Sequence, residues 1–69
     1  MKISARNVLK GTIVEVTKGS TTAHVRIDIG GAVITAAITN EAVDELGLRV
    51  GGAATALITD SDVLVGVEG

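Results

Sequence analysis

Apolar and polar residues alternate most regularly in the second quarter of the chain. Ala23, Val25, Ile27 and Ile29 interleave with His24, Arg26 and Asp28, the two-residue period of a half-buried strand. Upstream, residues 3–16 form a mixed run in which Thr12-Ile13-Val14-Glu15-Val16 reads as strand, and Gly11 suggests a bulge or bend. Lys18-Gly19-Ser20 reads as a turn, and Gly30-Gly31 as a two-residue hairpin signal. A third strand over residues 32–39 is apolar on both faces, with Ile34, Ala36 and Ile38 against Val33 and Ala37, so burial from two sides is expected. A short helix follows. Thr39 or Asn40 suits its cap, Glu41, Asp44 and Glu45 its opening turns, and Gly47 its end, with Ala42, Val43 and Leu46 as the apolar stripe. Val50-Gly51-Gly52 is a turn, residues 53–59 a fourth strand, Asp60-Ser61-Asp62 another turn, and residues 63–67 a fifth strand. No repeat or linker interrupts residues 1–69, which read as one domain. Three strands, a helix and two strands match an all-β, five-stranded Greek-key barrel of the OB type, with the helix between strands three and four. An SH3-like barrel has a similar pattern.

Composition changes this picture in one respect. A chain of 69 residues buries only about 60% of the surface it exposes when unfolded, so small domains need reinforcement. Cysteine is absent, which removes disulfides and thiolate metal sites, and a lone histidine cannot build a metal site. The chain is nonetheless 46% hydrophobic, all of it aliphatic because Phe, Tyr and Trp are missing. Subunit association is the remaining way to cover that surface, so a homo-oligomer is expected.

Net charge is −2, which argues against a general nucleic-acid or membrane surface. Recognition of single strands by OB barrels also relies on aromatic stacking, and no aromatic is present. No apolar stretch reaches signal-peptide or membrane-span length, so a cytoplasmic protein is expected. Catalysis finds little support. His24 lies on a regular strand away from any nucleophile elbow, Asp60 and Asp62 read as turn formers, and neither Gly-Gly pair leads into a phosphate-cradling motif. One polar cluster stands out. Ser4-Ala5-Arg6-Asn7 offers a hydroxyl, a guanidinium fork, a carboxamide and successive backbone N–H groups, the donors that a tetrahedral oxyanion requires. By composition alone such a tetrapeptide is common, and a solvated strand entry with one surface arginine explains it better.

The run from Met1 to Thr12, Met-Lys-Ile-Ser-Ala-Arg-Asn-Val-Leu-Lys-Gly-Thr, resembles the opening of the molbindins, small molybdate-binding proteins of the Mop and TOBE type. The likeness continues through Lys18-Gly19, Ala36-Ala37-Ile38-Thr39, Glu45-Leu46-Gly47-Leu48, Thr55-Ala56-Leu57-Ile58 and Val63-Leu64. This resemblance implies an OB-like barrel whose strands are exchanged between two subunits, assembly of such dimers into a hexamer, and no catalysis. It also implies molybdate or tungstate as the bound ligand, held at subunit interfaces and serving intracellular storage. Carried over by position, Ser4, Ala5 through its backbone, Arg6 and Asn7 match the binding motif, and Thr39 matches a contact from the partner. Lys18, Gly19, Ser20 and Thr21 are the candidates for a second oxyanion site, against the simpler reading of an ordinary turn.

Two departures from the family pattern stand in this chain. Thr59-Asp60 occupies the place where a lysine and a small residue are usual, and Ala42 stands where a serine is common. A site built on this pattern loses a cation and a hydroxyl and gains a nearby carboxylate, and Ser61 is the nearest hydroxyl replacement. Loss of one charge partner at interface depth costs several kcal/mol. The competing expectation is therefore a structural or regulatory oligomeric module with degenerate anion sites, and the remoter one an OB-type binder of single-stranded nucleic acid.

Overall fold

The computed structural model describes residues 4–69; Met1, Lys2 and Ile3 of the opening run lie outside the described residues. Four strands form one antiparallel sheet in the order β3-β2-β1-β4, with β1 at Asn7–Lys18, β2 at Thr22–Asp28, β3 at Val33–Thr39 and β4 at Ala53–Ile58. The helix α1, Asn40–Leu46, sits between β3 and β4 as expected.

The long first strand serves two partners. Its second half pairs with β2 and its first half with β4, and Thr12 lies opposite both Asp28 and Ala53. Strand β1 is therefore longer than its apolar pattern announces, because backbone pairing carries it through Asn7, Lys10 and Gly11. The bulge expected at Gly11 lies further along: Ile13 faces Ile27 and Glu15 faces Arg26, leaving Val14 unpaired in the register. Gly11 answers a different need. A Cβ there would stand 2.3 Å from the Asp28 carbonyl oxygen, so only glycine allows the strands to approach so closely.

Between β2 and β3, Gly30 and Gly31 both have positive φ, as a two-residue hairpin demands, and Asp28 Oδ1 accepts the Gly30 N–H at 2.8 Å. The helix is capped at both ends. Thr39 Oγ1 accepts the Ala42 N–H at 3.1 Å, and Gly47, in the left-handed region at φ 64°, donates its N–H back to Asp44 O. Of the predicted stripe, Val43 is buried, Ala42 half-buried, and Leu46 exposed.

The core is small and lies on one face of the sheet. Strand β2 contributes Ala23, Val25 and Ile27, β1 contributes Ile13, β4 contributes Ala56, and α1 adds Val43 from above. Strand β3 alternates between half-buried and exposed positions instead of being buried on both faces, because nothing among the described residues covers Val33, Thr35 and Ala37. Among the described residues the sheet has four strands, and the fifth strand expected over residues 63–67 does not form in the single chain. Residues 63–69 carry no regular structure and are exposed, since no free strand edge of the same chain meets them. Beside the core an apolar groove of about 620 Å³ stays open, lined by Val25, Ile27, Ile34, Ile38, Ala54 and Ala56 among others.

Candidate functional site

The register of β1 against β4 brings the N-terminal candidates to the turn after β4. Asn7 pairs with Ile58, and its side-chain Nδ2 donates to the Ile58 carbonyl at 3.1 Å, so the carboxamide fastens the strand end. Immediately before it, Arg6 is exposed and its Nε lies 3.4 Å from Asp60 Oδ2. Asp60 opens a short 3₁₀ turn, Asp60–Asp62, in which Thr59 Oγ1 donates to Asp62 Oδ2 at 2.6 Å and sits 3.5 Å from Ser61 Oγ. Ser4 is exposed and Ala5 half-buried. Pairing thus gathers Arg6, Asn7 and Ser61 at one end of the sheet, together with two carboxylates. Arg6 is largely exposed, and the nearby carboxylate expected from the sequence, Asp60, is the group paired with it.

Thr39 lies elsewhere. It faces Thr22 at the end of β3, beside the Lys18 end of β1, whereas Arg6 precedes the Asn7 end. The twelve residues of β1 separate them by at most about 36 Å of strand. One chain does not bring Thr39 and Arg6 together.

What Thr39 does join is the turn before β2. Ser20, Thr21, Thr39, Asn40 and Glu41 line a polar recess of about 350 Å³. Asn40 ties the two segments: its backbone N–H donates to Thr21 O and its Nδ2 to Gly19 O, each at 2.9 Å. Its Oδ1 is buried without a hydrogen-bond partner, an acceptor that calls for a donor. Lys18, the only cation among the candidates here, is taken by Asp44 at 2.6 Å. The recess therefore offers hydroxyl and backbone donors beside the Glu41 carboxylate and an unfilled acceptor, a less anion-friendly set than the sequence suggests. Sequence reasoning missed the proximity of Thr39 to Ser20 and Thr21, which arises from the β2–β3 pairing; Asn40 was read only as an alternative helix cap, a place that Thr39 takes. Among the described residues no group of three or more His, Cys, Asp or Glu side chains is placed to hold a metal ion, and no helix is long and apolar enough to cross a membrane.

A small antiparallel sheet with one capped helix, and an arginine beside a hydroxyl turn at the sheet's open end, define a class. The TOBE domain family matches residues 3–65, and the chain belongs to it. Within that family it is similar to a Haemophilus influenzae protein named as a probable molybdenum-pterin-binding protein, with 52% identity over 69 residues covering 99% of this chain and all of the relative. Its fold is similar to that of a molybdate-binding protein from Sporomusa ovata, at a TM-score of 0.91 and 39% identity over 97% of this chain and 100% of that one. It is also similar to the cytoplasmic molybdate-binding protein ModG in a crystal form with molybdate bound, at a TM-score of 0.93 and 42% identity. That match takes in 99% of this chain but 49% of ModG, so the chain spans about half of that protein.

Proposed function

We propose that this chain is a molbindin, a non-catalytic binder of molybdate or tungstate that holds the oxyanion at interfaces between copies of itself, for storage within the cytoplasm. The observation that carries this reading is the full-length 52% identity to a molybdenum-pterin-binding protein, together with a fold that matches half of the molybdate-bound ModG at a TM-score of 0.93. Residues 1–69 act as a single such domain. The anion is held by Ser4, the Ala5 backbone and Arg6, with Asn7 and Ser61 beside them and Thr39 supplied by another subunit. The separation of Thr39 from Arg6 along β1 supports that last assignment, because a shared site needs two chains. Lys18, Gly19, Ser20 and Thr21 form the second, weaker oxyanion site.

Assembly proceeds by strand exchange to dimers and then to a hexamer. The open apolar groove and the exposed apolar residues Val63, Leu64, Val65 and Val67 support it: the segment serves as a fifth strand in a partner's barrel. A second reading, an oligomeric module whose anion sites have decayed, is favoured by the carboxylate beside Arg6 and by Thr59 in place of a cation. Calorimetric titration with molybdate, tungstate and sulfate separates the two. Saturable binding of molybdate or tungstate by wild type, lost in Arg6→Gln, bears out the oxyanion carrier; absence of binding up to millimolar ligand sinks it.

A further inference from the structure

We propose that Asp60 acts as a resident counter-anion for Arg6, so that an incoming oxyanion binds only by displacing this carboxylate. The inference rests on the oxyanion reading above and adds to it a residue that sets affinity. Its basis is the contact between Arg6 Nε and Asp60 Oδ2 at 3.4 Å, made across the junction of β1 and the 3₁₀ turn. A guanidinium donates to a carboxylate through the same planar N–H edge that it offers to a tetrahedral oxyanion, so the two ligands compete for one group.

The neighbouring carboxylate is held differently. Asp62 Oδ2 accepts the Thr59 hydroxyl at 2.6 Å, which occupies both side chains in the turn and leaves Thr59 no role as an anchor for the anion. Among the described residues the cluster therefore sets one cation against two carboxylates, and of the two only Asp60 reaches that cation. Both partners of the pair are largely exposed, at 82% and 62% of their side-chain area, so the contact is soft enough to open. The Asp60 side chain is also free of structural duties beyond this ion pair: its backbone carbonyl accepts from Val63, while its side chain makes no hydrogen bond to the described residues. A closed latch of this kind gives an oxyanion carrier that loads at high ligand concentration and stays empty at low.

The test is calorimetric titration of molybdate into the full chain as wild type, Asp60→Asn, Asp60→Ser, Asp62→Asn and the double variant Asp60→Asn/Arg6→Gln. Asp60→Asn and Asp60→Ser should each bind about tenfold tighter than wild type, because the competitor and a like charge leave together. Asp62→Asn should stay within about twofold, and the double variant should lose binding. Measurable binding by the Asp60 variants at ligand concentrations about tenfold below those that wild type needs supports the latch. If wild type binds and the Asp60 variants bind no tighter, the latch is wrong while the oxyanion reading stands. An equal gain from Asp62→Asn replaces the specific pair with a general charge effect and overturns the proposal. No binding by any variant overturns both.

Discussion

The two sides of this sheet are built on the same aliphatic alphabet and end in opposite conditions. On the β2 side, Ala23, Val25 and Ile27 are buried by their own chain, because β2 has hydrogen-bonded neighbours on both edges and α1 drops Val43 onto its face. On the β4 side the strand has one neighbour, Leu57 is 41% exposed, and the chain leaves the sheet as Leu64, Val65 and Val67, each about nine-tenths exposed. Hydrophobicity alone does not decide burial here. What decides it is whether the chain returns to cover its own surface, and residues 63–69 stay exposed instead of doing so. The half that is closed holds the core; the half that is open leaves apolar surface uncovered and carries Arg6 at its margin.

The sharpest way to break this comparison is to charge the open side. Leu64→Asp combined with Val65→Asp changes two side chains that touch nothing in the single chain, so a self-sufficient monomer would tolerate the pair. If these residues fill a partner's groove, each subunit loses about 1.5–3 kcal/mol of burial per side chain, and the new carboxylates add a desolvation cost. Sedimentation analysis should then show the assembly collapsing to monomers or unfolding. An unchanged native mass would remove residues 63–67 from the interface.

A smaller effect comes from the closed side. Ile13 is one of the two large side chains with almost no exposure, and it sits where β1 bends between its two partners. Ile13→Ala should lower the unfolding free energy by about 2–5 kcal/mol in urea titrations. Val50→Ala, at a 64% exposed position, should change it by less than about 0.5 kcal/mol. Both are to be measured at one fixed protein concentration, since association contributes to the apparent stability.

The same comparison explains what the sequence could disclose. Strand β2, its hairpin and the helix ends were legible because period, paired glycines and caps are local signals. Gly11 was legible as a constraint but not as to its kind: a bulge and a close approach both ask for glycine, and only the register assigns the bulge to Val14. The double apolar character of β3 marked a surface needing cover, and Val33, Thr35 and Ala37 stay exposed among the described residues. At the site, Ser4-Ala5-Arg6-Asn7 stood out through its likeness to a family. A carboxylate near the site was legible at Asp60, but its contact with Arg6, and that of Ile58 with Asn7, arise only through long-range pairing.

Thr39 stands on the closed side yet is assigned to the open one, and separating its two duties gives the most discriminating of the smaller effects. Its oxygen accepts the Ala42 N–H at 3.1 Å and so caps the helix that positions Val43. The hydroxyl hydrogen remains available, so one side chain can cap its own helix and donate to an oxyanion held by another subunit. Thr39→Ala should cost about 1 kcal/mol of stability and weaken molybdate binding together, a result that does not distinguish the roles. Thr39→Asp does, because a carboxylate caps a helix well but cannot donate and repels an anion. Near-wild-type stability in urea with binding weakened at least tenfold would place Thr39 at the oxyanion; equal binding would confine it to the cap.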